Sequence, residues 1–399
     1  MTNLSLKSLI IMILVLAYPV GRIFLPEGSN YDGSSTTNLS YVAYLLEDIS
    51  IGFGALYYIR FYYRPGGINI LAAIWTFFFL FTMIHSTFSE SIITSFHLSI
   101  RGSAYVFLGL LFCEYVGRGQ DSLEKFRSLQ VILVVVLLAS LIVEIISTIS
   151  YEYLVVFGAG GSFISLLTIL STLYLFLFCH DDKNIYYYFK MTILLVVILF
   201  LTFKLNSFSS VLCFFSALTI SLLVCRYYTV SLFIVSVLSI ISVWLYEKLF
   251  SSDFLIANKS LDVLLSGSGR FEVWKYTVEK IINGELRWYG YGYMADRFFL
   301  IDATNLPFNH TCHNSFLTTL VGLGYWGGFF YVFFISFHIY WYFNLRGSRT
   351  FKLYVRTSIL SIVLFGIGSP MYPGTTTLLI PFSITLFGIS SRRNILNIQ

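Results

Sequence analysis

Two residues in one polar stretch carry the strongest chemical signal in the chain: Arg270, within "LLSGSGRFEVWKYTVEK", and His313, within "NHTCHNSFLTTLVGLGYWGG". The spacing of Phe271, Trp274, Val278, Ile281 and Ile282 predicts an amphipathic helix that begins after the flexible Ser266-Gly267-Ser268-Gly269, with Arg270 in its first turn. Helix N-termini favour anions. A cation there is best understood if a phosphate fills the site and accepts bonds from both the guanidinium and the first backbone N–H groups. The plainer alternative is a surface arginine paired with Glu272 or Asp262. His313 is a candidate general base, because an imidazole near its ordinary pKa takes a hydroxyl proton at neutral pH; the alternative is an interfacial histidine bonded to backbone. His310 and Cys312 lie beside it, but three potential ligands without a carboxylate motif do not make a metal site, and no metal or cofactor is expected.

The elements that must position these groups are membrane helices. Of the 399 residues, 57% are hydrophobic and 11% charged, against about a quarter charged in a soluble domain, and mean hydropathy is +0.79. The expected fold class is all-α: a polytopic integral membrane protein forming one helical domain over 1–399. Twelve spans can be drawn, near 6–25, 40–60, 68–87, 99–116, 129–149, 158–178, 188–203, 209–225, 229–247, 314–343, 353–369 and 373–390. The first has a lysine ahead of an apolar run but no small-x-small cleavage site, so it reads as a retained helix. No internal repeat and no conspicuous pair of broken helices is visible, which weakens a transporter reading.

If the N-terminus is cytoplasmic, the inner connections are "RFYYRPGG", "GRGQDSLEKFR", "HDDKNIYYYFK", "CRYY", "RGSRTFK" and "SRRN", and all of them carry Arg or Lys. Short outer connections such as "PEGSNYDGSSTTN", "SYEY" and "GSPMYPG" carry neither, which supports this orientation and opposes its inverse. The net charge of +5 is thus a matter of topology and gives no reason to expect nucleic acid. One long outer segment, 247–313, holds seven basic and eight acidic residues, so it is no basic patch and each cation is judged by place. Arg287 and Arg297 belong to it. Arg101, near the outer end of the fourth span, and Lys204 are further outer cations, each able to line a wet cavity or to snorkel to the interface. With Trp274 and Asn314 they complete the candidate substrate-binding set. Glu47, Asp48 and Glu144 are polar groups within spans and receive no role. Four cysteines lie in or beside apolar runs and only Cys312 lies in the polar segment, so no internal disulfide is expected there.

"SGRFEVW", then "YGYGY", then "HNSFLTTLVGLGYWGG" opening the next span, resembles the superfamily of O-antigen polymerases and O-antigen ligases, bacterial envelope glycosyltransferases. The matching motifs cover about 266 to 330, and the twelve-span layout with one long loop before the tenth span is similar across the rest. The resemblance implies a bacterial inner-membrane enzyme with its active site facing the periplasm. It implies metal-independent inverting transfer of glycan from undecaprenyl diphosphate, with Arg270 on the diphosphate and His313 activating the acceptor hydroxyl. Implied partners are the lipid-linked donor and acceptor oligosaccharides, the bilayer, a chain-length regulator and a flippase. Ligases often carry Ser-Arg or Thr-Arg at the outer start of the span corresponding to 209–225; "KLNSFSS" offers only Lys204 there, which favours a polymerase over a ligase acting on lipid A core. A flippase would place its charges through the bundle, whereas here they gather in one outer loop. This topology makes position 285 periplasmic: a cysteine placed there should react with a membrane-impermeant maleimide in intact spheroplasts, and protection would contradict it.

Overall fold

The computed structural model describes residues 38–61, 69–117, 125–135, 137–138, 160–178, 192, 194, 196, 198, 208–232, 236, 270–302, 312, 314–367 and 379–391. Among them all regular structure is helical: α1 (Asn38–Phe61), α2 (Ile70–His85), α3 (Ile92–Gly117), α4 (Gly160–Phe178), α5 (Phe208–Val224), α6 (Arg270–Ile282), α7 (Ser315–Phe343), α8 (Arg349–Ile367) and α9 (Leu379–Ser390). Four stretches, Ile70–Phe88, Ile92–Val116, Ser315–Phe343 and Arg349–Ile367, are long and apolar enough to cross a membrane. Over the described residues the chain is all-helical and of membrane character. The expected span at 6–25 lies outside the described residues, and those at 129–149, 188–203 and 229–247 lie only partly within them.

The bundle core is built around α3, which packs against α1, α2 and α9, while α8 packs on α5 and α7. An aromatic seam runs from α2 to α7: Trp75 meets Phe334 edge to face at 4.6 Å and Phe78 meets Phe330 at 5.8 Å. Tyr293, from the segment between α6 and α7, enters the same seam against Phe78 and Phe79 at 5.9 and 6.2 Å. Edge-to-face pairs of this kind add to the area that the rings bury. They bolt the polar segment into the bundle.

The tenth expected span, 314–343, is not one straight helix. The 29 residues of Ser315–Phe343 would extend about 43 Å at 1.5 Å per residue, more than the ~30 Å hydrocarbon core requires. The structure breaks it at Gly324, whose φ of 65° and ψ of −154° are not helical. The chain then folds back on itself. The rings of Phe316 and Tyr331 lie 5.4 Å apart, and a Cβ on Gly327 would overlap the carbonyl of Thr319, although residues eight apart in a straight helix are about 12 Å apart along the axis. A short arm (315–323) and a long arm (325–343) therefore form a helical hairpin. The long arm is still about 28 Å long, enough to cross by itself.

Breaking a helix exposes carbonyls on one side and N–H groups on the other. The "YGYGY" stretch supplies the partners. Tyr291 N–H donates to the carbonyls of Val321 and Gly322, both at 3.1 Å, and Gly292 N–H donates to Gly322 at 2.7 Å. In return the Trp288 carbonyl accepts from Tyr325 N–H at 3.2 Å. The two glycine-rich motifs interlock at van der Waals limits: a Cβ on Gly290 would overlap the backbone of Gly322 and Gly324, and a Cβ on Gly324 would overlap the carbonyl of Trp288. Gly290 and Gly324 also both have positive φ.

Gly324→Ala should be severely destabilising. Its dihedrals alone cost about 1–3 kcal/mol for a residue with a Cβ, and overlap with backbone adds to that. Gly284→Ala is the control: its φ is 80° but nothing lies within 4 Å of a new Cβ, so only the left-handed cost of roughly 1–2 kcal/mol applies. Thermal unfolding in detergent should separate the two clearly; equal small shifts would contradict the interlock.

Candidate functional site

The segment 270–302 is folded and docked on two sides. On one side the corner between α2 and α3 holds it. Glu90 N–H donates to the Tyr291 carbonyl at 2.9 Å, Ser95 Oγ donates to the Tyr293 carbonyl at 3.0 Å, and the His85 ring Nε2 meets the Tyr289 carbonyl. Arg287 bonds the Glu90 carboxylate and stacks over the Tyr291 ring at 4.5 Å; the Glu90 bond raises its pKa. On the other side a small core of Val273, Leu286, Phe299, Leu300, Cys312, Leu317 and Val321 joins α6 and the segment to the short arm.

The apolar stripe that the sequence shows on α6 is shared between two surroundings. Trp274 and Ile281 pack against this small core, while Phe271, Val278 and Ile282 stay exposed. Thr277, polar by type, is buried, with its hydroxyl bonded to the Val273 carbonyl at 2.7 Å. Lys280 closes the unit: its ammonium lies 3.1 Å from the Glu285 carboxylate and 3.4 Å from that of Asp302. Partial burial lowers its pKa, but hydrogen bonds and charge from Glu285, Tyr276 and Asp302 outweigh that and leave it raised.

Arg270 opens α6. Its Nε is buried and has no hydrogen-bond partner among the described residues, and desolvation lowers its pKa. One turn on, Trp274 lines a groove of about 490 Å³ with Val278, Asn314, Leu317, Tyr331 and Val363, so the cavity lies between α6, both arms of α7 and α8. Asn314 is the only one of these with a polar amide. That amide is engaged at both ends: its oxygen caps the short arm by accepting from Leu317 N–H at 3.0 Å, and its Nδ2 donates to the Ile367 carbonyl at the end of α8 at 2.8 Å.

Two bonds hold Cys312, one wholly buried and one partly so. Cys312 N–H donates to Asp296 Oδ2 at 2.7 Å, and Trp274 Nε1 donates to the Cys312 carbonyl at 2.8 Å. Asp296 also accepts from the Thr318 hydroxyl at 3.1 Å. The Cys312 thiol is held well above its ordinary pKa by burial and by the Asp296 carboxylate, so it stays neutral and packs.

Of the sequence-predicted site residues, the structure brings Trp274 and Asn314 to one groove and places Arg270 a turn away from Trp274 on the same helix. Arg287 is tied to Glu90. Arg101 is buried in the bundle, its Nε 3.2 Å from Asp48 of α1, which also accepts His97 Nε2 at 2.8 Å. Lys204 and His313 lie outside the described residues, as does the side chain of Arg297, whose backbone sits in the short helical turn Asp296–Phe298. Sequence reasoning missed Asp296 and Glu90. Among the described residues no three His, Cys, Asp or Glu side chains converge as a metal site. Comparison of the chain with protein-family models, with curated proteins and with solved structures finds no match.

Asn314→Ala should lower stability by about 1–2 kcal/mol, from loss of the cap and of the bond to α8. Asn314→Asp keeps the cap but turns an acceptor toward the Ile367 carbonyl, so it should not recover the loss. Unfolding midpoints of the two variants decide this; full recovery by Asp would show that only the cap matters.

Proposed function

We propose that this chain is a surface-polysaccharide polymerase of the O-antigen type, moving a glycan from undecaprenyl diphosphate onto the nonreducing end of a second lipid-linked repeat unit. The proposal includes twelve spans, cytoplasmic termini and a periplasmic 247–313 loop in the bacterial inner membrane. The observation that carries the reading is Arg270: a desolvated guanidinium with an unsatisfied Nε, one helical turn from the Trp274 end of an apolar groove. A buried guanidinium N–H without its bond is costly unless an acceptor completes it. A diphosphate on a prenyl chain supplies both needs, charge for the arginine and hydrocarbon for the groove. The sequence motifs that resemble O-antigen polymerases lie in the same elements.

In this mechanism His313 takes the proton of the acceptor hydroxyl while its oxygen forms a bond to the anomeric carbon, from the face opposite the diphosphate. The bond from that carbon to the diphosphate oxygen breaks, and undecaprenyl diphosphate leaves with the electron pair, inverting the centre. Arg270 meets the charge that grows on the leaving group. A group aimed at developing charge in a water-poor site gives more to the transition state than to the ground state.

The test is a product ladder from purified protein and lipid-linked repeat units. Arg270→Lys should fail almost as badly as Arg270→Ala, because an ammonium cannot replace a planar, two-pronged contact. His313→Ala should lose roughly 10²–10⁴-fold in rate with donor binding retained. Normal ladders from either the Lys or the His313→Ala variant would refute that residue's role, and a wild-type protein that forms no ladder would refute the function.

A further inference from the structure

Around its circumference α6 meets three different surroundings. At 3.6 residues per turn Val273, Thr277 and Ile281 share one side, where Val273 and Thr277 are buried and Ile281 packs on the small core. Phe271, Val278 and Ile282 fall within about 40° of one another on a second side, and they are 52%, 41% and 77% exposed. Next to that stripe, about 40–100° around the axis, come Lys275, Glu279 and Glu272, all three exposed, with Lys275 and Glu279 paired at 3.9 Å. Single exposed hydrophobes are ordinary on any surface. An aligned apolar stripe bordered by a charged strip is instead the pattern of a helix lying in a bilayer interface.

The neighbours of the stripe say what covers it. On its uncharged flank stands Trp274, which together with Val278 lines the groove walled by Tyr331, Ile335, Val363 and Ile367. Those four belong to α7 and α8, two helices long and apolar enough to cross a membrane. Tyr331 lies about 9 Å along the long arm from Tyr325 at the hairpin tip. At that tip Tyr325, Trp326 and Trp288 are all exposed, and the Trp288 carbonyl holds Tyr325 N–H. Trp and Tyr concentrate where membrane meets water. With the tip at that boundary, Val278 stands on its hydrocarbon side, so the apolar stripe continues the lipid-facing surface of the bundle and the charged strip turns back toward water.

We propose that α6 lies in the membrane interface, with Phe271, Val278 and Ile282 among the acyl chains of one leaflet and Lys275, Glu279 and Glu272 at its headgroups. The partner is the bilayer surface itself, and the assignment does not depend on any reaction at the groove. It has one consequence for the groove: a lipid chain enters it from within the leaflet, without leaving hydrocarbon.

The experiment uses full-length protein reconstituted into vesicles of phosphatidylcholine and phosphatidylglycerol. A thiol-reactive nitroxide is attached in turn to Phe271→Cys, Lys275→Cys, Val278→Cys, Glu279→Cys and Ile282→Cys, and the unsubstituted protein, labelled in parallel, gives the native-cysteine signal to subtract. Power-saturation EPR then compares collisions with oxygen, which concentrates in hydrocarbon, and with a water-soluble nickel chelate. Labels at 271, 278 and 282 should favour oxygen and lie about 5–10 Å below the phosphates, while those at 275 and 279 should show the reverse preference. All five side chains are exposed, so each variant should unfold where wild type does, and a variant that does not is dropped from a comparison the other four still decide. Nickel preference at every position overturns the proposal, because the stripe would then face water. Exclusion of both reagents from 271, 278 and 282 overturns it too, because protein, from this chain or a second copy, would then cover the stripe.

Discussion

The structure of this chain turns on a helix that is broken and then repaired by another part of the chain. At Gly324 the backbone leaves helical geometry, and the carbonyls and N–H groups released there sit at the end of an apolar hairpin. In hydrocarbon each unsatisfied group costs several kcal/mol. They are satisfied by the backbone of residues 288–292, and only glycines allow the two chains to come close enough. The polar segment is thus part of the helix's own hydrogen bonding, and a polar segment that caps a membrane helix cannot drift from it.

Everything in the candidate site follows from that attachment. The short arm, returned toward the bundle by the break, meets α6 across the small core of Val273, Cys312 and Leu317. Trp274 and Asp296 can then reach opposite ends of the Cys312 residue, and Asn314 can reach the end of α8. The space left between α6, the hairpin and α8 is the apolar groove. Arg270 lies one helical turn before Trp274, which lines that groove. Under the proposed function, the apolar groove would take the prenyl chain and the cation the diphosphate, and orientation of this kind can supply much of a rate.

Much of this was legible in the sequence, for local reasons. The helical spacing after Arg270 predicts α6, and α2, α3 and α8 overlap expected spans, α3 beginning seven residues before the expected 99. Gly322, Gly324 and Gly327 mark close backbone approach, whereas Gly328 faces only side chains. What could not be read is what they approach. A fold-back needs a positive φ and a remote partner, and neither leaves a trace in hydropathy, which sees 315–343 as one apolar run. Likewise nothing separates Asp296 from seven other acids of the loop until Cys312 N–H is placed against it, or tells Asp48 that its partners are Arg101 and His97. Trp274 and Asn314 have site-like residue types, yet their polar atoms bond backbone, a use that depends on contacts 38 and 53 residues away.

The fold-back is open to one direct distance test. Phe316 and Tyr331 are separated by fifteen positions, so in an unbroken helix they would stand about 22 Å apart; in the hairpin their rings are 5.4 Å apart. With Phe316→Cys and Tyr331→Cys introduced together, a thiol-specific crosslinker only a few ångströms long should bridge the pair in membranes, read as a linked peptide by mass spectrometry. Bridging in most molecules is the result this account predicts. Full modification of both cysteines with no bridge would mean the helix runs straight through Gly324, and the cap and the groove built on it would fall together.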